Sequence, residues 1–234
     1  MEKIYTIPVN EAFEASMADP SLGCPMCALY RGLEEREIDL ILGASMMEPD
    51  VRIRTNRHGF CAHHFRGMFA ERNRLGLALM LESHLAEVAD HLSPGRGGKP
   101  DAALRYMTEL DGDCYICRRI EDAFSKMTAL VSFLWETDPA FRKKLEGQPY
   151  ICLHHERDVL AAASHRMKGK TYVAFSRALA DLRDKYLTAL REDVSWFCKK
   201  FDYRYDEEPW YNSKDAVERA IKFLSGAKGK GGAL

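Results

Sequence analysis

Two Cys-X-X-Cys pairs, each followed at nearly the same distance by a Cys-X-His-His, constrain this chain more than any other feature. The first set is Cys24-Pro25-Met26-Cys27 with Cys61-Ala62-His63-His64. The second is Cys114-Tyr115-Ile116-Cys117 with Cys152-Leu153-His154-His155. From Cys27 to Cys61 is 34 residues, and from Cys117 to Cys152 is 35. Six of the seven cysteines therefore belong to a pattern that occurs twice, which predicts two metal sites and a duplicated unit.

The spacing suits metal ligation. A first helical turn brings side chains i and i+3 together, so each Cys-X-X-Cys can offer two sulfurs to one ion. Cys61 with His64, and Cys152 with His155, share a face in the same way. Three thiolates and one imidazole complete a tetrahedral shell for Zn²⁺. The expected shells are Cys24, Cys27, Cys61 and His64 in one half, and Cys114, Cys117, Cys152 and His155 in the other. Each would close a helical hairpin at its open end. In a nonhelical turn, His63 or His154 would take the place of His64 or His155; on a helix they turn toward outer hydrogen bonds. Two zinc ions fit closed four-ligand sites, and iron–sulfur clusters held by the same Cys₃His donors are the alternative. Simple packing of reduced cysteines, or a dithiol–disulfide pair, leaves the matching histidines unexplained.

A 90-residue offset aligns more than cysteines: Ala12 meets Ala102, Leu40 meets Leu130, Pro49 meets Pro139 and Arg52 meets Arg142. The expected organisation is a first helical repeat over 1–92, a linker over 93–100, a second repeat with a long helix and a C-terminal helix over 101–225, and a disordered tail over 226–234. Each copy reads as helices. Short ones are expected over 10–18, capped by Asn10, and over 101–110, capped by Asp101. Longer ones follow over 25–47 and 115–136. In the latter, Ile116, Ile120, Phe124, Met127, Val131 and Leu134 step by three and four along one stripe. Glu48-Pro49 and Asp138-Pro139 interrupt these helices.

A helix over 61–92 is expected to bury Phe65, Met68, Phe69, Leu75, Leu81, Leu85 and Val88. One over 171–201 carries an apolar seam that includes Cys198 as a buried thiol. A last helix over 214–225, capped by Ser213, is expected to bury Val217, Ile221 and Leu224. No strand alternation is convincing, and the expected class is all-α.

Composition narrows the function. The net charge is −1 with 46% hydrophobic residues, so no global positive field draws in nucleic acid. The N-terminus lacks an apolar signal core and no apolar run reaches membrane-spanning length, which predicts a cytoplasmic protein with reduced thiols. There is no phosphate-cradling Gly-rich loop, nucleophile elbow or HExxH, and an enzyme is not the expected class. Glu34, Glu35, Arg36 and Glu37 read as a solvated helix face. The expectation is a zinc-stabilised binding or scaffold module with a protein partner, using the aromatic C-terminal edge around Tyr203, Tyr205, Trp210 and Tyr211 or a groove between the copies. An iron–sulfur electron carrier or redox sensor is the rival.

The assembled motifs resemble a bacterial family catalogued as domain-of-unknown-function family 6062. The likeness rests on Cys24-Pro25-X-Cys27, on Gly59-Phe60-Cys61 with His64, on the second Cys-X-X-Cys and Cys-X-X-His, and on Tyr203-Arg204-Tyr205 with Glu208-Pro209-Trp210. It covers nearly the whole chain. Copy two departs from it with Pro149-Tyr150-Ile151 before Cys152. The resemblance implies the same architecture and no particular reaction.

Overall fold

The computed structural model describes residues 3–93 and 100–226, and among these it is helical with no strand. Positions 94–99 of the expected linker and 227–234 of the expected tail lie outside the described residues. The helices are α1 (Thr6–Ala18), α2 (Pro25–Leu42), α3 (Pro49–His58), α4 (Ala62–Ala70), α5 (Arg74–Leu92), α6 (Pro100–Asp111), α7 (Tyr115–Thr137), α8 (Pro139–Glu146), α9 (Leu153–Arg166), α10 (Gly169–Lys199) and α11 (Ala216–Ser225). The same order appears twice: a helix, a Cys pair opening a long helix, a Pro-led helix, and a helix opened by Cys-X-His-His. Prolines start α3 and α8 because a first-turn residue needs no N–H donor. Asp138 caps α8 by accepting from the Ala140 and Phe141 N–H groups.

Several local expectations change. The helix over 61–92 is two helices, α4 and α5. Arg72 takes a positive φ of 58°, and Asn73 caps α5 by accepting from the Gly76 N–H at 2.9 Å. The helix over 25–47 stops at Leu42, before Gly43 and a short 3-10 turn, Ala44–Met47. Asn10 lies inside α1, donating to the Thr6 carbonyl, and does not cap it. Asp101 follows Pro100 inside α6. Ser213 donates to the Trp210 carbonyl, and Asp215 holds the α11 N-cap position.

The chain divides into two compact units: one takes the chain up to Arg31 and from Phe124 onward, the other Gly32–Ala123. The division runs through α2 and α7. In the first unit Phe13, Phe124, Phe141, Leu145, Phe175 and Phe223 are fully buried or nearly so. Phe13 packs against Phe141 at 5.0 Å between ring centres, and Gln148 Nε2 donates to the Phe13 carbonyl at 2.7 Å, joining α1 to the end of α8. The six-residue stripe of α7 is buried as its spacing predicts. In the second unit α3 lies on α5, and Ile38, Ile41, Met68, Leu77 and Met80 form the core.

Leu75 and Leu85, expected inside, are exposed, because the break at 71–73 resets which face of α5 turns inward, and Phe69, near the end of α4, is exposed as well. α11 likewise buries Ala216 and Phe223, leaving Val217, Ile221 and Leu224 at least partly open. Cys198 is exposed and not a core thiol, since the last fully buried apolar residue of α10 is Leu190. Near this end Lys200 is buried and its ammonium donates to the carbonyls of Tyr205, Asp206 and Glu208 at 2.6, 2.9 and 2.7 Å, anchoring the segment between α10 and α11.

Candidate metal centres

All four ligand pairs occupy one kind of position. Cys24, Cys61, Cys114 and Cys152 stand immediately before α2, α4, α7 and α9, and Cys27, His64, Cys117 and His155 lie three residues on, in the first turn. The Cys61 carbonyl accepts from the Phe65 N–H at 3.0 Å, and the Cys152 carbonyl from the Glu156 N–H at 2.9 Å. Each pair therefore has its unpaired helix N–H groups close by, and the partial positive charge of a helix N-terminus favours an anionic shell there.

The eight residues converge into two clusters, but not along the expected pairing. Cys24 and Cys27 meet Cys152 and His155, while Cys114 and Cys117 meet Cys61 and His64. Each cluster combines the Cys-X-X-Cys of one half with the Cys-X-His-His of the other. Helix lengths account for this correction. α2 has 18 residues, so it runs about 27 Å, whereas the returning α3 has 10 and covers about 15 Å. In the second half α7 has 23 residues and α8 only 8. The return stroke stops short of the Cys pair that began each half. His64 accordingly lies beside Glu34, and His155 beside Phe124, each about two helical turns beyond Cys27 or Cys117.

In the cluster of the first unit, His155 Nδ1 is 3.2 Å from Cys152 Sγ, 3.4 Å from Cys27 Sγ and 3.8 Å from Cys24 Sγ. Cys27 and Cys152 Sγ are 3.7 Å apart. Cys24, Cys27, Cys152 and His155 have 2%, 7%, 0% and 0% of their surface open. Phe124 covers the imidazole at 5.2 Å between ring centres. Gly226, just past α11 with φ +63°, lies over the sulfurs: a Cβ there would come within 2.9 Å of Cys152 Sγ.

In the cluster of the second unit, His64 Nδ1 is 3.2 Å from Cys61 Sγ, 3.3 Å from Cys114 Sγ and 3.4 Å from Cys117 Sγ. Cys61 and Cys117 Sγ are 3.9 Å apart, and both residues are partly exposed. Glu34 Oε1 lies 3.1 Å from His64 Nε2, off the line of a well-aligned hydrogen bond, and 2.7 Å from His63 Nε2. Glu34 is thus no part of a solvated face. Glu37, also read that way, is buried and held by Arg119 through two contacts of 3.0 and 3.1 Å. His63 and His154 turn away from the sulfurs, His63 to Glu34 and His154 toward Arg157 and Asp158.

The donor set fits a single cation. A tetrahedral zinc with Zn–S about 2.3 Å and Zn–N about 2.0–2.1 Å implies S···S edges of about 3.8 Å and S···N edges of about 3.5 Å. The observed edges bracket both values, and all donor atoms of a cluster lie within 4.8 Å of one another. The charges ask for a cation too. Burial first, and the neighbouring Cys27 sulfur, push the Cys24 thiol up to about 12. The Cys24 thiol and burial hold Cys152 at about 12. Three crowded sulfurs resist ionisation unless positive charge joins them. In the second cluster Cys114 is drawn well down by its hydrogen bond with Cys117 and, against burial, by His64, while Cys117 is pushed up. Burial lowers His64, but the hydrogen bond to Cys114 and the facing Glu34 carboxylate outweigh it and raise the imidazole to about 10.

Asp113, directly before Cys114, accepts from the Cys114 N–H at 2.8 Å and from Arg118 Nε at 2.5 Å. Its Oδ2 is 2.8 Å from His58 Nδ1, and Arg118 chiefly lowers its carboxyl to about 2. With His58, His91 and Tyr106 it lines a cleft of about 590 Å³. Sequence reasoning missed Glu34, Phe124 and Gly226 as residues of the sites. The two-turn step from each Cys pair along its helix was the available signal for the first two.

The model of the family described as a family of unknown function, DUF6062, matches residues 1–230. Compared with curated proteins and with solved structures, the chain matches none. Among the described residues no helix is long and apolar enough to cross a membrane.

Proposed function

We propose that this chain, which belongs to the family of unknown function DUF6062, is a zinc protein in which two ions fasten a helical scaffold that binds a protein partner. The observation that carries the reading is the convergence of three sulfurs and one imidazole Nδ1 on each of two points, within 4.8 Å, at helix N-termini. Zinc is favoured over an iron–sulfur cluster because a cluster places iron and sulfide between its ligands and spreads them farther than one ion does. Two such closures, each between residues 50 or more positions apart, make metal binding part of folding. A structural role follows from four protein donors with no open position. The partner-facing surface in this reading is the aromatic edge after α10, where Phe201, Tyr203 and Tyr211 are exposed around Trp196 and Trp210.

Elemental analysis and a visible spectrum of anaerobically purified protein test the metal. Two zinc per chain and no absorbance near 400 nm support the reading; iron with a charge-transfer band overturns it. Chelation that leaves the thermal midpoint unchanged would overturn the structural role.

A further inference from the structure

The two clusters share a donor set and differ in everything around it. In the first unit the four donors are buried, Phe124 covers the imidazole, and Gly226 lies against the sulfurs. In the second unit Cys114 and His64 are buried, but Cys61 and Cys117 reach the surface. At the position 90 residues before Phe124 stands Glu34, whose carboxylate faces His64 where the other cluster has an aromatic ring. One centre is sealed and the other opens to solvent through two of its three sulfurs.

We propose that Cys61 and Cys117 form a dithiolate that reacts with hydroperoxides, a modification site that releases the ion of the second centre while the sealed centre keeps its own. The proposal rests on the zinc reading of both clusters. Metal-bound cysteines are thiolates, the nucleophilic form, and oxidation follows thiolate character and exposure. Cys61 and Cys117 are the partly exposed pair, 3.9 Å apart, on separate segments that begin α4 and α7. One thiolate attacks the peroxide O–O bond, becoming a sulfenic acid as hydroxide leaves. The second thiolate attacks that sulfur, forming the S–S bond and expelling a second hydroxide. The two sulfurs supply two electrons in all, and the peroxide is reduced. A disulfide needs the sulfurs to close to about 2.05 Å, a short movement from their present separation. Two of four donors are then lost and the ion leaves. The covalent bridge takes over the joining of the α4 and α7 starts, and a thiol reductant with zinc restores the original state.

The test uses the full chain carrying Cys198→Ser, which removes the exposed thiol outside both clusters. Zinc is counted first: two ions per chain support the reading beneath the proposal, and fewer than two refute that reading, and the proposal with it, before any peroxide is added. With two present, hydrogen peroxide is added with a chromogenic zinc chelator, and peptides are mapped without reduction. The expected result is loss of one ion faster than the other by about tenfold or more, since reactivity follows exposure. It comes with a Cys61–Cys117 linked peptide and recovery after dithiothreitol and zinc. Loss of both ions together, no loss, or a disulfide containing Cys24, Cys27, Cys114 or Cys152 overturns the proposal.

Discussion

Cys27 and Cys152 bring their sulfurs to 3.7 Å across 125 residues of chain, while Cys27 and Cys61, joined by far less chain, serve different centres. This crossing predicts the outcome of paired substitutions. Cys27→Ser with Cys152→Ser removes donors from one centre, so the protein keeps one zinc ion. Cys27→Ser with Cys61→Ser strips donors from both centres and costs both ions. Metal analysis of the two double variants checks this. The reverse result, with both ions lost from the Cys27/Cys152 variant and one kept by the Cys27/Cys61 variant, would restore the within-half pairing and contradict the structure.

Glu34 stands behind His64, and at the equivalent place along the other long helix Phe124 stands against His155. The facing His64 ring, and the hydrogen bond with His63, lower the Glu34 carboxyl against burial, so the group is anionic near neutral pH and can orient the ring and strengthen it as a donor. Glu34→Gln should weaken zinc at the second centre by about 10–100-fold, the usual effect of losing such a partner. Chelator competition should show one of two binding phases shifted and the other unchanged. A shift in both phases, or in neither, would remove this role from Glu34.

The eight donors were legible because Cys and His are rare and chemically distinctive, and the α7 stripe because its spacing leaves one apolar face. The partnership of the donors was not legible. It depends on α3 and α8 being too short to return along α2 and α7, and those lengths are set at breaks that the sequence marks weakly. Pro49 and Pro139 announce where the returns begin. The end of α2 at Gly43 and the split at Arg72 are local backbone choices, although Asn73 three residues before Gly76 was an available capping signal. Exposure of Leu75 and Leu85 follows from that split, as periodicity alone does not say which apolar face finds a neighbour.

Lys200 replaces the water that the turn carbonyls of Tyr205, Asp206 and Glu208 would otherwise need. Lys200→Met keeps most of the stem and removes the donor. Hydrogen bonds to a charged group contribute about 1.5–3 kcal/mol, so the variant should lose roughly that much stability in urea unfolding. Zinc content should stay intact, since Lys200 touches neither cluster. Loss of metal together with stability would mean that the α10–α11 segment supports the first centre more directly than its contacts indicate.

Gly226 combines a left-handed backbone with a sulfur where its Cβ would be. Gly226→Ala adds strain of about 1 kcal/mol from the positive φ alone. The methyl group must also displace Cys152 Sγ or the end of α11. Zinc release from the sealed centre should accelerate, while the second centre is unaffected. Gly169, also at positive φ but with open space around it, is the control. Gly169→Ala carries only the backbone strain, so equal zinc release from both variants would show that contact with Cys152 does not matter.

The sealed centre also predicts the direction of its pH dependence. Without an ion, Cys24 and Cys152 stay neutral up to about 12, through burial at Cys24 and through the Cys24 hydrogen bond and burial at Cys152. Zinc binds the thiolate, so at neutral pH it must expel both protons. Raising the pH helps that expulsion, so affinity climbs with pH, and lowering the pH favours the protonated, metal-free form. The stability contributed by the bound ion is therefore present at neutral and higher pH and lost on acidification. Calorimetric zinc titrations in buffers of different ionisation enthalpy should give a binding heat that varies with the buffer, with a slope reporting proton release. In a Cys61→Ser variant, which leaves the sealed centre as the complete one, that slope should persist. A heat independent of buffer would show that the sulfurs are already ionised before zinc arrives, and that burial does not hold their protons.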